Sequence, residues 1–396
     1  MVPTYYNKSL YIINKLIPPK HMKKYLVLFL LFSVIFISCS NNEEDEYVDI
    51  IADNPTDDIN ILSLPATPFN YANIVLPNSF QNNAVRNEDN TPINNPITDH
   101  GATLGRVLFY DKNLSKNSTI SCASCHVQAN GFSDPNKFST GFEGGLTGRN
   151  SMGLANARFY QNGRFFWDER AETLEEQTLM PVQDLVEMGL TLTELEDKLS
   201  QEEYYTSLFT NAFGDATITS ERVALALSQF IRSMVSFESK FDEGLAQVNN
   251  IINDFPNFTA SENRGKALFI SNRSRCFDCH NTTVFVGDAP RNIGLDSIIT
   301  DGGAGGGRFK VPSLRNIELT APYMHDGRFS NLEQVIEHYN SGVQNSPNLD
   351  NRLRQGNGVR RLNLSDAEKQ SLVDFLLTLT DNNFITDEKY GNPFIE

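Results

Sequence analysis

Basic residues are few in this sequence: 33 lysines and arginines stand against 49 aspartates and glutamates. The formal net charge is −16 and the isoelectric point is about 4.9. Proteins that bind nucleic acid need a basic surface to neutralise phosphates, so this charge excludes nucleic acid as a partner. With 396 residues, of which 40% are hydrophobic, the chain is long enough for two globular domains plus appendages.

Cysteine is scarce as well, because the whole chain contains only five. Four of them fall into two copies of Cys-x-x-Cys-His, at 122–126 and 276–280. This pattern is typical of covalent haem attachment, in which two thiols add across the vinyl groups and the adjacent imidazole ligates the iron. The predicted attachment residues and proximal iron ligands are Cys122, Cys125, His126, Cys276, Cys279 and His280.

Two other uses of paired cysteines fit the sequence less well. A redox-active Cys-x-x-Cys needs no histidine and usually lies in a βαβ setting. A structural zinc site pools four ligands from two knuckles, whereas these pairs lie about 150 residues apart. The sequence therefore predicts two covalently bound c-type haems.

The N-terminus has the pattern of a bacterial export signal. The stretch from Met22 to Cys39, MKKYLVLFLLFSVIFISC, has two lysines, an apolar run and Ser38 directly before Cys39. The apolar run is too short to remain as a membrane span. Its end resembles a lipobox, which implies a signal segment over 1–39, a true start at Met22 and lipidation of Cys39. The alternative is that Cys39 merely ends the apolar run.

An internal duplication organises the rest of the chain. Residues 40–85 are acidic at first, lack periodicity and predict a flexible tether. An N-terminal haem domain is expected over 86–250 and a C-terminal haem domain over 258–396, with a boundary near 245–260. Each repeats the order helix, Cys-x-x-Cys-His, loops and helix. We therefore expect a mainly α fold with two cytochrome c-like domains in tandem.

Helix-start signals support this duplication. We expect the first helix of each domain to begin near Thr98 and at Ser261. The last helices are expected after Thr219 and after Ser365, which forms a capping box with Glu368. No long alternating pattern predicts a β-sheet.

Three motifs extend the resemblance beyond haem attachment. LGRVLFYDKNLSKNSTISCASCH, GRFFWDERAETLEEQ and VPSLRNIELTAPYMHDGRFSNLEQVIEHY resemble those of the bacterial di-haem cytochrome c peroxidase family, which includes the protein oxidase MauG. The match covers roughly 98–380. It implies an N-terminal haem that reacts with peroxide, a C-terminal haem that relays electrons and a calcium ion between the domains.

The resemblance places a catalytic glutamate at Glu175, which would transfer a proton during peroxide cleavage. Helical spacing agrees, because Ala171, Leu174 and Thr178 would share its face, although acidic helices are often only solvated. A glutamine that the family carries ten residues earlier is Phe165 here.

The distal side of the first haem lacks the histidine that many family peroxidases carry. The corresponding loop reads FSTGFEGGLTG. We therefore expect the first haem to be five-coordinate or water-bound, and ready to react without prior reduction.

Four residues compete for the sixth position on the second haem: Met324, His325, His338 and Tyr339. Tyr339 ends an i, i+3, i+4, i+7 apolar stripe that begins at Leu332, and His338 points about 100° away from it. The family's axial methionine position falls on Tyr339, and MauG has tyrosine there. The alternative is a core tyrosine, with the site empty or filled by Met324.

Two further features follow from the resemblance. The family holds calcium through backbone carbonyls that correspond to Thr320 and Pro322. A tryptophan that usually lies between the two haems is replaced by Ala155, and the single tryptophan of the chain is Trp167.

These features predict a di-haem c-type peroxidase that reduces hydrogen peroxide with electrons from a small donor protein such as cytochrome c. The expected setting is the periplasmic or cell-surface side, with a lipid anchor in the outer membrane and a possible homodimer. The alternatives are a MauG-like oxidase of a protein partner and a non-catalytic di-haem electron-transfer cytochrome, which would need two six-coordinate irons.

Overall fold

The computed structural model describes residues 61–248 and 250–395, and this part of the chain is mainly helical, as predicted. The only strands within these residues form a two-residue antiparallel hairpin, β1 (Arg354–Gln355) with β2 (Gly358–Val359). The α-helices are α1 Asn83–Arg86, α2 Asp99–Tyr110, α3 Cys122–Cys125, α4 Leu174–Gln183, α5 Leu192–Ser200, α6 Tyr204–Phe213, α7 Ser220–Ser233, α8 Lys240–Val248, α9 Ala260–Ile270, α10 Leu332–Glu337, α11 Asp366–Leu377 and α12 Asn382–Thr386.

Helices α2 and α7 pack closely against each other in the first half. Thr98 and Thr219 are their N-caps, as predicted, and each side chain accepts a hydrogen bond from the backbone of the first turn. The contact depends on Gly105, since a Cβ at this position would lie 2.1 Å from the carbonyl oxygen of Ala226. The sequence therefore brings the first and last helices of this half together at a glycine.

Helices α9 and α11 repeat this arrangement in the second half. A Cβ on Gly265 would lie 1.8 Å from the carbonyl oxygen of Ser371. Helix α11 has the predicted capping box of Ser365 and Glu368. Helix α9 begins two residues earlier than predicted, because Thr259, rather than Ser261, forms the capping box with Glu262.

The boundary between the two halves lies earlier than the predicted 245–260. Phe241 and Leu245 of α8 belong to the hydrophobic cluster of the second half. The Phe241 ring lies 5.0 Å from that of Phe285 and 5.5 Å from that of Phe255. Helix α8 therefore packs with the second half, although it was assigned to the first.

The C-terminal residues return to the first half, which corrects the predicted extent of the second domain. Phe384 and Tyr390 are buried in the first hydrophobic cluster, and the Phe384 ring lies 5.4 Å from that of Phe132. Asp381 caps α12 and also accepts hydrogen bonds from backbone amides of 237 and 238. These contacts join the end of the chain to the first half.

Residues 61–85 are packed, so the predicted tether is wrong for this stretch. Leu62, Leu64 and Tyr71 are buried in the first cluster, and Phe80 and Val85 in a smaller one. Their apolar side chains gain burial only through partners distant in sequence, which is why local composition suggested a loop. Residues 40–60, the signal segment and Cys39 lie outside the described residues.

Within the described ranges, no helix combines the length and the apolar character that crossing a bilayer requires.

Candidate active site

The first Cys-x-x-Cys-His motif forms a short helical turn that ends at its histidine. Helix α3 contains both cysteines, and the Ser124 hydroxyl accepts a hydrogen bond from the Ser121 amide at 3.0 Å. The Nδ1 atom of His126 lies 2.9 Å from the carbonyl oxygen of Phe132. This contact orients the ring and leaves Nε2 for a metal.

The second motif has the same design on a 3₁₀ turn, Cys276–Asp278. The Nδ1 atom of His280 lies 3.2 Å from the carbonyl oxygen of Phe285. Phe132 and Phe285 both adopt positive φ, at 59° and 55°, an uncommon conformation for a bulky residue that here aims the carbonyl at the histidine.

Burial keeps both imidazoles in the neutral form that ligates metals. It lowers the pKa of His126 below its usual value and lowers the pKa of His280 to about 4. All four described cysteines are free thiols. Each motif therefore presents two thiols and one orientable neutral imidazole.

Each motif opens into a large internal cavity. The first has a volume of about 580 Å³ and is lined by Cys122, Cys125 and His126. The second has a volume of about 210 Å³ and is lined by Cys276, Cys279 and His280. Close-packed protein interiors contain few voids larger than a water molecule, and both walls are mainly apolar. The residues present therefore fit a covalently attached haem in each cavity.

The first cavity has no second histidine on its wall. His126 is the only one among its lining residues, and the loop with the sequence FSTGFEGGLTG contributes Ser139, Thr140 and Gly141. Two thioethers that were not among the predicted ligands, Met152 and Met188, also line it. No local sequence signal distinguishes these methionines from core residues.

Glu175, the predicted catalytic residue, does not line this cavity. Its carboxylate is held by Arg232, with Oε1 to Nη1 at 2.6 Å and Oε2 to Nη2 at 3.0 Å. Asn95 donates a further hydrogen bond to Oε1 at 2.7 Å. Burial raises the pKa of Glu175, but these hydrogen bonds outweigh it, so the net pKa lies below the usual value. Glu175 is therefore an ionised carboxylate behind the cavity wall.

The predicted helical face of Glu175 is also partly wrong. Helix α4 begins at Leu174 with Thr173 as N-cap, so Ala171 precedes it. Leu174, Gln177 and Thr178 of this helix do line the cavity. The helix therefore faces the site, while its glutamate is turned towards α7.

A different glutamate lies in the cavity wall. Glu187 lines the first cavity next to Asp184. Burial and the Asp184 carboxylate raise the pKa of Glu187 above its usual value. Sequence spacing could not identify this residue, because it follows the end of α4 in a loop.

In the second cavity, three of the four candidate ligands line the wall: Met324, His325 and Tyr339. His338 does not, and its Nε2 lies 3.0 Å from the carbonyl oxygen of Ile293. The predicted stripe of Leu332, Val335, Ile336 and Tyr339 lines the cavity along its whole length.

Tyr339 and His325 differ in their surroundings. The His325 ring stacks on Phe309 with centroids 3.6 Å apart. Tyr339 lies in the π-helical turn His338–Gly342, and its hydroxyl forms no hydrogen bond with a described residue. Tyr339 therefore presents an unpartnered oxygen to the second cavity.

The two cavities share a wall. Trp167 and Ala155 line both, together with Lys310 and residues 150–153. The Trp167 indole donates a hydrogen bond to the carbonyl oxygen of Asn150 at 2.8 Å. The single tryptophan thus lies in the wall between the cavities, together with Ala155, which takes the place of the family's tryptophan.

Thr320 and Pro322, the predicted calcium ligands, also line the second cavity. Thr320 lies at the junction of the halves, since a Cβ on Gly131 or Gly153 would approach its methyl group to 3.1 or 3.2 Å. Among the described residues, no cluster of three or more His, Cys, Asp or Glu side chains is suited to a metal ion.

Comparison with known proteins agrees with this arrangement. A family model for di-haem cytochrome c peroxidase matches residues 99–250. The MauG protein of Methylophilus methylotrophus is 34% identical over 299 residues, which cover 73% of this chain and 84% of that protein. The cytochrome c551 peroxidase of Nitrosomonas europaea is 34% identical over 248 residues, which cover 60% of this chain and 71% of that protein.

A solved structure is similar over most of its length. It is a MauG-like protein associated with microbial copper homeostasis, with a TM-score of 0.70 and 31% identity, covering 81% of this chain and 99% of that one. Two Cys-x-x-Cys-His cavities, the matched family model and these relatives lead to one conclusion. The chain belongs to the di-haem cytochrome c peroxidase and MauG family of oxidoreductases, whose members carry two c-type haems.

Proposed function

We propose that this protein is an exported di-haem c-type peroxidase that reduces hydrogen peroxide to water with electrons from a small redox protein such as cytochrome c. The observation that carries the proposal is the wall of the first cavity, where His126 is the only histidine that the described residues contribute. Among the described residues, this wall therefore offers no second imidazole to a haem held by His126, so peroxide would have access to it. The relative from Nitrosomonas europaea, named as a peroxidase, supports the same reaction.

The two Cys-x-x-Cys-His motifs have different roles in this proposal. Cys122, Cys125 and His126 would hold a haem where peroxide binds, and Cys276, Cys279 and His280 would hold a haem that receives electrons from the donor. A bound haem supplies the redox chemistry towards peroxide. The shared wall at Trp167 keeps the two sites adjacent, so electrons have a short route between them.

Charged groups of the chain shape the first cavity. Arg149 lines it and is fixed by Asp168 at 2.6 Å and by Asp301 at 2.8 Å. Asp301 belongs to the second half, so this ion pair also joins the halves. A guanidinium held on both sides offers fixed donors to a small polar molecule in the cavity.

Reduction of peroxide to water consumes protons, and two glutamates of the chain are suited to move them. Glu175 is ionised and can accept a proton, but it must leave Arg232 to reach the cavity. Glu187 lies in the wall with a raised pKa and can hold a proton there. We propose Glu175 as the proton-transfer residue, in line with the family resemblance, with Glu187 as the competing candidate.

Stopped-flow mixing of the ferric holoprotein with stoichiometric hydrogen peroxide tests the proposal. We expect a fast change in haem absorption without prior reduction. A response that requires one-electron reduction first would mean that Met152, Met188 or another group blocks the access of peroxide in the ferric protein. No response in either state would favour an electron-transfer cytochrome.

The two glutamates are separated by comparing Glu175→Gln with Glu187→Gln in the same experiment. If Glu175 moves the proton, its variant slows the absorption change by roughly 10²–10⁴-fold, the usual contribution of general acid–base catalysis. The Glu187 variant then reacts at close to the wild-type rate. The reverse order assigns proton transfer to Glu187.

A second candidate function is a MauG-like oxidase of a protein partner. Tyr339 favours it, because a hard phenolate ligand favours oxidised iron over ferrous iron, and because relatives named MauG match this chain. Steady-state turnover with reduced cytochrome c discriminates the two. Rapid donor oxidation supports the peroxidase, whereas slow donor oxidation with a long-lived oxidised haem pair supports the oxidase.

Calcium at the carbonyls of Thr320 and Pro322 is part of the proposal, as is a homodimer. The position of Thr320 at the junction of the halves supports a structural ion there, and oxygen ligands suit calcium. Metal analysis of the purified protein before and after chelation tests the ion. Sedimentation velocity tests the oligomeric state.

A further inference from the structure

A buried tyrosine in the wall of the first cavity donates its phenolic hydrogen to a carboxylate. Tyr160 is 1% exposed and Glu169 is 7% exposed. The Tyr160 hydroxyl donates a short hydrogen bond to Oε1 of Glu169. Asn162 donates to the other carboxylate oxygen at 2.8 Å. Tyr160 lines the first cavity, so its ring lies next to the predicted peroxide-reacting haem.

Lys310 connects this tyrosine to the wall that the two cavities share. Its Nζ lies 3.8 Å from the centre of the Tyr160 ring and donates to the carbonyl oxygen of Arg164 at 2.7 Å. Its backbone amide donates to the carbonyl oxygen of Trp167 at 2.8 Å. Burial lowers the pKa of Lys310 to about 7, although Glu169 opposes this shift. A weaker positive charge over the ring makes loss of an electron from Tyr160 easier.

The backbone that presents Glu169 is strained. Glu169 has φ of 54° and Phe166 has φ of 67°, both uncommon for residues other than glycine. The Phe165 amide closes this turn by donating to the carbonyl oxygen of Ala171 at 3.0 Å. Such positions are energetically unfavourable and occur most often at functional sites. Here the strained turn sets the carboxylate against the Tyr160 phenol.

The other buried tyrosines of the described residues lack this combination. Tyr71, Tyr323 and Tyr390 donate to backbone carbonyl oxygens, which cannot take up a proton. Tyr205 and its half-buried neighbour Tyr204 donate to the Asp111 carboxylate but line neither cavity. Only Tyr160, among the buried tyrosines of the described residues, both donates to a carboxylate and lines a cavity.

A phenol that loses an electron becomes strongly acidic and must release its proton. In a buried site that proton needs an acceptor, since water is excluded. We propose that Tyr160 is a redox-active residue that holds one oxidising equivalent from the first haem site, with Glu169 as its proton acceptor. The proposal rests on the proposed function, because reaction with peroxide supplies the oxidant.

One electron would pass from the Tyr160 phenol to the oxidising equivalent that hydrogen peroxide supplies at a haem held by His126. The phenolic O–H bond breaks, and the proton bonds to Oε1 of Glu169, which leaves a neutral tyrosyl radical beside a neutral carboxylic acid. Return of one electron from the donor, or from an oxidisable partner, brings the proton back and restores the phenol.

Freeze-quench electron paramagnetic resonance of the ferric holoprotein after stoichiometric hydrogen peroxide tests this inference. We expect an organic radical signal that narrows when the protein contains ring-deuterated tyrosine. Tyr160→Phe should lose it, and Glu169→Gln should lose most of it. Tyr205→Phe is the matched control, because it removes a carboxylate-bonded tyrosine that lines neither cavity, and its signal should equal that of the wild type.

Haem absorption recorded on the same samples separates this inference from the proposed function. An absorption change without a tyrosyl signal overturns the inference and leaves the peroxidase proposal standing. A tyrosyl signal that persists in Tyr160→Phe also overturns it. If neither an absorption change nor a radical appears, the inference and the peroxidase proposal are both overturned, because no oxidant has formed. Equal ferric spectra of all variants before peroxide establish that each is folded and loaded with haem.

Discussion

Tyr339 is the single residue whose replacement tests the second cavity most directly. It ends the apolar stripe on that wall, and its oxygen has no partner among the described residues. A thioether is a softer ligand than a phenolate and stabilises ferrous iron. Tyr339→Met should therefore raise the reduction potential of the second haem by on the order of 0.1 V, a fraction of the range that axial ligands cover.

Spectroelectrochemical titration of the two haems measures this change. Met324→Leu is the control, since it removes the competing thioether with little change in volume. If Tyr339 is the ligand, this control leaves the potential unchanged. A potential that shifts in Met324→Leu and stays constant in Tyr339→Met assigns the ligand to Met324 instead.

Glu88 is a buried carboxyl whose ionisation should make stability depend on pH. Its side chain is 7% exposed and accepts a hydrogen bond from the Thr282 hydroxyl at 3.1 Å. Burial raises the pKa of Glu88 from 4.5 to about 7, and the bond from Thr282 opposes only part of this. Because the folded state binds the proton more tightly, this contribution to stability is complete below pH 4.5 and is lost as the pH rises through 7.

We therefore expect the unfolding temperature to fall between pH 5 and pH 8 partly because of Glu88, and Glu88→Gln to flatten that dependence. Thermal unfolding across this range measures the effect. Glu221→Gln, at an exposed position of α7, serves as the control and should leave the slope as in the wild type. Equal slopes for both variants would contradict the assignment.

At the scale of elements, each half depends on one helix pair that crosses at a glycine. A methyl group on Gly105 or Gly265 would collide with a backbone carbonyl of the partner helix. Backbone cannot rotate away as a side chain can, so the helices must separate. Gly105→Ala and Gly265→Ala should each lower the free energy of unfolding by about 1–3 kcal/mol.

Denaturant unfolding of the holoprotein checks this prediction. Gly302→Ala is the matched control, because nothing lies within 4 Å of a Cβ at that position. It should unfold at the same denaturant concentration as the wild type. A control that loses as much stability as Gly105→Ala would mean that helix crossing is not the cause.

At the scale of the whole molecule, the C-terminal segment around Phe384 and Tyr390 packs against the first half and stabilises it, rather than the second half. Phe384 is 3% exposed and packs on Phe132 and Tyr390 with ring centres 5.4 and 5.3 Å away. Phe384→Ala should cost about 3–5 kcal/mol of unfolding free energy. Amide hydrogen exchange should then rise around α2 and α7 and stay constant around α9 and α11.

Ile395→Ala provides the comparison, since Ile395 lies in the same segment with its side chain 51% exposed. Amide hydrogen exchange in Ile395→Ala should match that of the wild type. Increased exchange at α9 and α11 in Phe384→Ala would show instead that the segment supports both halves.

Export through Cys39 is a further whole-molecule prediction. Cys39→Ala should remove a lipid-dependent mass increase at the mature N-terminus and release the protein from the membrane fraction. Mass spectrometry of the mature N-terminus and fractionation measure the two effects. Membrane association that is unchanged in Cys39→Ala would exclude lipidation of this cysteine as the anchor.

Features set by short-range chemistry could be predicted from the sequence. The caps at Thr98, Thr219 and Ser365 were correct because a cap satisfies amides only two or three residues away. The cavity-lining stripe that ends at Tyr339 was readable because helical periodicity is local as well. Thr259 was missed as the cap of α9 because Ser261 offers a similar signal nearby.

The sequence by itself determined the family, the two Cys-x-x-Cys-His motifs, the duplicated helical plan and the main candidate ligands, since these depend on residue type and close spacing. Only the tertiary structure decided which side chains meet. It turned Glu175 towards Arg232, put Glu187 and Tyr160 in the first cavity and placed Trp167 between the two cavities. It also packed Leu62, Leu64, Tyr71 and the C-terminal residues Phe384 and Tyr390 onto the first half. The physical reason is that burial and ion pairing depend on partners tens to hundreds of residues away, which no local pattern specifies.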